Sequence, residues 1–243
     1  MGETLARPLR GRAMRAGGSQ RCVPIRHDGR IPNMCSNYRP ARRAELAHFG
    51  VAPPELPLED KDAYPGSAAP MIYQPPEGGG WSCVAGTFGL LPIWAKERAL
   101  AKRTYNARVE TVAEKPSFRS AWHKRQVCIV PAAAIYEPCY ETGKAVWWRI
   151  ARADGAPMAI AGLWERKSWE AGVPSWSFTL LTVNAETHPL MRRFHKPDDE
   201  KRTVVVLDGD APEAWLAAES KADLRALLRP CAETLLVAAP GRL

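Results

Sequence analysis

The sequence predicts an α+β fold: a single domain built on a bent, mainly antiparallel, barrel-like β-sheet with flanking helices. Three observations lead there. Between residues 81 and 207 the chain offers a series of short runs rich in apolar and β-branched residues, each bounded by Gly, Pro or charged turns. Segments with helical periodicity are few and short, and they do not alternate regularly with the strands, which argues against a doubly wound parallel sheet. Finally, 243 residues suffice for one sizeable core or at most two small ones, and neither an internal repeat nor a second domain stands out.

Residues 1–33 stand apart from this pattern. They have no sustained apolar periodicity and are rich in Arg, Gly and Pro, a composition that buries too little surface to offset chain entropy, so a disordered extension is expected. An Arg-rich leader of this kind fits an organelle transit peptide, a nucleic-acid-binding arm, or upstream sequence read in frame with the true start at Met34. The last is preferred, because Met34 precedes Cys35, a residue small enough for methionine aminopeptidase to remove the initiator. The domain then spans 34–243.

From Met34 onward the elements follow in order. Residues 41–49 fit a short amphipathic helix with Leu46 and Phe49 at helical spacing. Residues 51–80, rich in Pro and Gly, read as a long loop. Trp81–Leu91 predicts a strand or hairpin, and further strands are expected at Gln126–Pro131, Val146–Ala151, Met158–Trp164, Ser177–Val183 and Arg202–Leu207. Helices are predicted at Lys96–Lys102, Pro116–Trp122, Pro212–Glu219 and Lys221–Leu228, with Asp210 available as a cap before Pro212.

Composition narrows the partners. The net charge of +8 points to a polyanion, yet residues 1–33 hold seven Arg against Glu3 and Asp28, and the rest of the chain is only slightly basic. Binding by the domain must therefore be argued from particular residues. The six Cys (22, 35, 83, 128, 139 and 231) form no Cys-x-x-Cys pair, so no structural zinc site is expected. No apolar stretch approaches the roughly 18 residues of a membrane helix. A soluble, reduced, cytoplasmic monomer is the expectation.

Four places carry chemistry: Met34-Cys35-Ser36-Asn37-Tyr38; Tyr105-Asn106-Ala107-Arg108-Val109-Glu110-Thr111; Cys128-Ile129-Val130-Pro131 running on to Ile135-Tyr136-Glu137-Pro138; and Leu181-Thr182-Val183-Asn184-Ala185, followed by His188 and His195. Taken together and in this order, they resemble the SRAP family (SOS response-associated peptidase, or abasic site processing protein). Its members begin with Met-Cys and carry an Asn-Ala-Arg-x-Glu-Thr motif. A Tyr-Glu segment follows a Cys-x-x-Pro strand, and a late His precedes the last apolar strand. The resemblance spans nearly all of 34–243. It implies an α+β fold and a catalytic N-terminal Cys that crosslinks to abasic sites in single-stranded DNA, with no metal or organic cofactor. A peptidase-like activity on the family's own leader is also implied.

The residues support that chemistry. An N-terminal Cys is a 1,2-aminothiol whose α-amine has a reference pKa of about 7.7–8.0, so part of it is a neutral nucleophile near neutrality. It can condense with the open-chain aldehyde of an abasic sugar and close a thiazolidine ring. Cys35 must be the first residue for this, because an amide nitrogen forms no imine. Asn106 and Arg108 lie two apart, on one side of an extended segment, where Asn106 can hydrogen-bond the opened sugar and Arg108 can fork a phosphate. Glu110, on the same side, can simply pair with Arg108. Glu137, at the end of an apolar run, suits a proton donor and acceptor whose pKa burial would raise. His195 is the preferred candidate for opening the sugar ring, His188 the alternative. Trp94 offers a stacking surface, and Arg39, Arg119, Arg192 and Arg193 are candidate phosphate ligands. Each also has a plainer explanation, as a packed aromatic or a solvated charge.

The chain departs from the family pattern in places. Ser36-Asn37 stands where Gly-Arg is common, Ala134-Ile135 where Gly-Phe is, and Pro138 where Trp is; Lys196–Lys201 looks like an insertion after His195. A cysteine peptidase using Cys35, His195 and Glu137, and a non-catalytic basic nucleic-acid-binding module, remain the competing functions.

Overall fold

A computed structural model of the chain describes residue 1 and residues 36–55, 60–170 and 173–241. The chain divides into Met1–Ile31 and Pro32–Leu243, and apart from Met1 everything described belongs to the second unit. The expected extension 1–33, together with Met34 and Cys35, therefore lies outside the described residues.

Eleven strands are described: β1 (Tyr38–Pro40), β2 (Ala68–Tyr73), β3 (Ser82–Phe88), β4 (Asn106–Arg108), β5 (Val127–Cys139), β6 (Val146–Arg152), β7 (Met158–Glu170), β8 (Val173–Asn184), β9 (Arg202–Val204), β10 (Val206–Leu207) and β11 (Leu236–Pro240). Three α-helices accompany them: α1 (Arg119–His123), α2 (Ala211–Ala217) and α3 (Lys221–Leu227). Residues Arg43–Phe49 and Arg98–Arg103 form tighter 3₁₀ turns where helices were expected.

Five strands close a ring. β7 pairs antiparallel with β8, β8 runs parallel to β3, β3 pairs with β2, β2 meets β5 at Ile72–Ile129, and β5 returns to β7. The expected α+β, mainly antiparallel, barrel-like architecture is thus the observed one. Side chains alternate across the barrel wall and feed two cores. Inside lie Met71, Phe88, Cys128, Val130, Ile160, Phe178 and Leu180. Outside, Ile129, Ala161, Leu163 and Leu181 meet Trp122 of α1, Trp215 and Leu216 of α2 and Leu224 of α3. Because β5, β7 and β8 are covered on both faces, their sequences read as nearly continuous apolar runs. Trp215 anchors α2 by donating its indole N–H to the Cys128 carbonyl at 3.0 Å.

Two expectations need correction. Residues 51–80 are not all loop, because β2 lies within them and its Pro70 sits opposite Ala85 in the ladder with β3. The strand expected to stop at Pro131 runs on to Cys139. It can do so because it changes partners: Val127–Ala132 pair with β7, whereas Ile135–Cys139 pair with β6. The β1 register also shifts between Arg39 and Pro40 in the same region. A proline lacks a ladder donor and is tolerated where pairing is irregular.

Candidate active site

The extension of β5 past the barrel brings Glu137 opposite Trp148 of β6, where the residue is 1% exposed. The next two residues of β5 build the neighbouring wall. The His195 N–H donates to the Pro138 carbonyl at 2.8 Å, and Cys139 forms a β-bridge with Phe194. Strand β5 thereby holds both Glu137 and, through its own backbone, His195, which sits 58 positions later. His195 has φ +68°, a left-handed conformation that a non-glycine residue adopts only when its surroundings impose it.

The two side chains lie together in the interior. His195 Nε2 is 3.7 Å from Glu137 Oε2, an electrostatic contact longer than a hydrogen bond. Nε2 also lies 3.2 Å from the Arg202 carbonyl. Since that oxygen can only accept, Nε2 carries the proton and Nδ1 keeps its lone pair, buried and without a hydrogen-bond partner among the described residues. Burial pushes the His195 pKa below its ordinary value and outweighs the raising effect of the Arg202 carbonyl. The group is therefore a neutral imidazole with a basic nitrogen to spare.

His188 has no such freedom. Its Nδ1 accepts from the N–H groups of Leu190 and Met191, both at 3.2 Å, and its Nε2 donates to the Cys231 carbonyl at 3.1 Å. Both nitrogens are engaged in holding the turn that leads to Met191.

Asn106 and Arg108 bracket Ala107 on β4, which runs parallel to β8 with Asn106 beside Leu180 and Arg108 beside Thr182. Asn106 is half-buried and Arg108 points to solvent. Contrary to expectation, Glu110 does not pair with Arg108. Arg108 binds Glu200 at 2.8 Å, while Glu110 binds Arg202 at the same distance. Arg202 is a buried hub. Its guanidinium also meets Glu200 at 2.6 Å, the Thr182 carbonyl at 2.7 Å and the Thr182 hydroxyl at 3.3 Å, and its own carbonyl receives His195. Through Arg202 the β4 motif and the His195–Glu137 pair belong to one network. Neither Arg202 nor Glu200 stood out in the sequence. An Arg opening an apolar strand and a Glu in a charged run are equally well explained as solvated residues.

The remaining candidates are placed as follows. Cys35 lies outside the described residues, but Tyr38, three residues on, pairs with Ile135, two residues before Glu137. Arg39 is drawn to Asp60 at 2.5 Å and Asp62 at 3.7 Å. Asp62 also accepts from the Tyr136 hydroxyl, whose pKa burial, reinforced by Asp62, pushes up to about 12. Trp94 is 55% exposed, with its indole N–H 3.4 Å from the Pro116 carbonyl. Arg119 is exposed at the start of α1 with no ion-pair partner among the described residues. Arg193 forks Glu141 at 2.8 and 3.0 Å and lies over Trp148, whereas Arg192 is exposed. Among the described residues, no three His, Cys, Asp or Glu side chains gather as a metal site, and no helix is long and apolar enough to cross a membrane.

Comparison with known proteins decides the family: residues 34–240 match the model of SOS response associated peptidase (SRAP). The chain belongs to the SRAP family. Within it, the chain is 33% identical over 146 residues to the abasic site processing protein YoaM of Bacillus subtilis, a match covering 59% of this chain and 61% of that protein. It is 32% identical over 155 residues to the abasic site processing protein YoqW of the same species, covering 59% and 62%. The match thus spans about three-fifths of the length of these curated SRAP relatives. A crystal structure of a Bordetella bronchiseptica protein superposes with a TM-score of 0.76 at 38% identity, covering 86% of this chain and all of that one. A Bacteroides thetaiotaomicron protein, at 22% identity and a TM-score of 0.71, covers 86% and 92% and speaks to the SRAP fold alone.

Proposed function

We propose that this chain processes abasic sites in DNA, capturing the ring-opened sugar of single-stranded DNA as a covalent thiazolidine on an N-terminal Cys35. Its SRAP membership and the names of its relatives support the general activity. The observation that carries the finer reading is the buried Glu137–His195 pair beside the start of the domain. Tyr38, three residues after Cys35 in the sequence, pairs with Ile135 of β5, two residues from Glu137.

The steps balance without a cofactor. The neutral α-amine of Cys35 adds to the aldehyde carbon, and loss of one water gives the imine. The thiolate then adds to the imine carbon while the nitrogen regains a proton, closing the five-membered ring. Opening the sugar moves a proton off its anomeric hydroxyl, a task suited to the free Nδ1 of neutral His195. Glu137 is in position to relay protons during imine formation and its reversal. Asn106 orients the opened sugar, while Arg108, Arg39, Arg119 and Trp94 are offered to the strand. The reading requires that residues 1–33 be absent from the active species and that Met34 be removed.

The test is incubation of protein begun at Met34 with a single-stranded abasic oligonucleotide. A heat-stable band shift, lost in Cys35→Ser and Cys35→Ala, is expected, together with an intact mass corresponding to a Cys35 start. Equal crosslinking by the Cys35 variants refutes the mechanism.

A further inference from the structure

The segment between His195 and β9 is acidic at Asp198, Asp199 and Glu200. Glu200 divides its carboxylate between two guanidinium groups: one oxygen meets Arg108 at 2.8 Å, the other Arg202 at 2.6 Å. Partial burial opposes ionisation of Glu200. The Arg202 hydrogen bond and the charges of Arg202 and Arg108 outweigh it and hold the carboxyl below its usual range, so the group is an anion at neutral pH.

The two arginines are not equivalent. Arg202 is buried, and it would remain paired with Glu110 and the Thr182 carbonyl without Glu200. Arg108 is about half exposed, and Glu200 is its one carboxylate partner among the described residues. A carboxylate that presents two oxygens to two guanidiniums has the shape and charge of a phosphodiester's non-bridging oxygens.

We propose that Glu200 is a built-in stand-in for a DNA phosphate, occupying Arg108 until an incoming strand displaces it, and so setting the affinity and salt response of the site. This rests on the nucleic-acid part of the function proposed above. The exchange is feasible because only the outer half of the bridge must break. Arg202 keeps hold of the other carboxylate oxygen, and an exposed ion pair of this kind shifts an equilibrium by no more than about fivefold. Glu200 then stays nearby as a negative charge, which disfavours loosely held strands.

The test is fluorescence anisotropy of the full chain with a labelled, lesion-free single-stranded oligonucleotide across a range of salt concentrations. Glu200→Gln keeps a hydrogen-bonding group for Arg202 but frees Arg108. It should tighten binding roughly two- to fivefold at low salt and steepen the log–log salt slope by up to about 0.7, as expected when one more positive charge at the strand is left uncompensated. In an Arg108→Ala background both changes should vanish. A merely structural Glu200 would move the melting temperature without altering the slope. Unchanged affinity and slope in Glu200→Gln, or a gain that survives in Arg108→Ala, overturns the proposal. If protein begun at Met34 crosslinks abasic DNA and Glu200→Gln changes nothing, only this inference fails. If no variant binds DNA at all, the proposed function fails with it.

Discussion

Gly89 ties the barrel to the β4 motif, and replacing it with alanine should be among the most damaging small changes in the domain. Its φ is +115°, and an ideal Cβ there would lie 2.2 Å from the Ala101 carbonyl oxygen and 2.6 Å from the Ala101 Cα and carbonyl carbon. These are backbone atoms of the 3₁₀ turn Arg98–Arg103, so no side-chain rotation can relieve the overlap. The turn must retreat by about an ångström. It leads directly to Thr104, whose carbonyl accepts from the Leu90 N–H at 3.1 Å, and then to Asn106. Gly155→Ala supplies the control, because that glycine also has positive φ (+76°) but nothing within 4 Å of the added methyl. Left-handed backbone alone should cost Gly155→Ala about 1 kcal/mol, part of it offset by the stiffer unfolded chain. The clash should raise the cost at Gly89 to about 3 kcal/mol or more, which lowers the melting temperature of a domain this size by roughly 6–12 °C. Urea unfolding of both variants measures the difference. If Gly89→Ala is within about 1 kcal/mol of Gly155→Ala, the close approach of the two backbones is refuted.

Two further outcomes follow from buried polar groups. Because burial lowers the His195 pKa below its ordinary 6.5, the unfolded chain takes up that proton first; the stability of the native state is therefore full above about pH 6.5 and declines as pH falls toward the folded value. The difference in urea stability between wild type and His195→Asn should accordingly change as pH drops from 8 to 5, with the variant losing less, and a pH-independent difference would contradict a buried neutral imidazole. Trp215→Phe deletes the indole donor to the Cys128 carbonyl and leaves a gap under α2, so it should destabilise by about 2–3 kcal/mol in the same assay; a loss below about 0.5 kcal/mol would mean that the contact does not anchor the helix.

What the sequence revealed and concealed follows from where each element is buried. Strands β5, β7 and β8 were legible because both faces are covered, leaving apolar runs bounded by turns. Their ends were not. β7 and β8 continue through Glu165–Glu170 and Val173–Ser177, where charged and polar residues replace the apolar pattern and backbone pairing carries the strands onward. β2 escaped notice because Pro70 and the surrounding Pro and Gly residues mimic a loop, and its place in the barrel depends on pairing with β3 and β5, which no local pattern records. The 3₁₀ turns carried the right apolar spacing, Leu46 and Phe49 above all, since three- and four-residue periods differ little over two turns. In the site, Asn106, Arg108, Glu137 and His195 were readable as motif residues, but their electrostatic partners were not. Glu110, two residues away, looked like the partner of Arg108; Glu200 took that place because β9, which it precedes, pairs with β8 at the same Thr182 that Arg108 of β4 faces, a long-range event.

The geometry of the Glu137–His195 pair is set by the main chain more than by the two side chains. Their 3.7 Å contact is too long to fix an orientation by itself, and a lone carboxylate–imidazole pair in a buried site could collapse into a hydrogen bond that draws the Nε2 proton to the carboxylate. That collapse is prevented on two sides. The Arg202 carbonyl claims the Nε2 proton, which turns Nδ1 away as the free base. The Pro138 carbonyl and the Cys139–Phe194 bridge pin the His195 backbone in its left-handed conformation, one strand residue beyond Glu137. Pro138 contributes to this arrangement through its carbonyl oxygen, so its lack of an N–H costs the contact nothing. Pro138 is therefore compatible with the carboxylate–imidazole pair, because the contact that matters there belongs to the backbone.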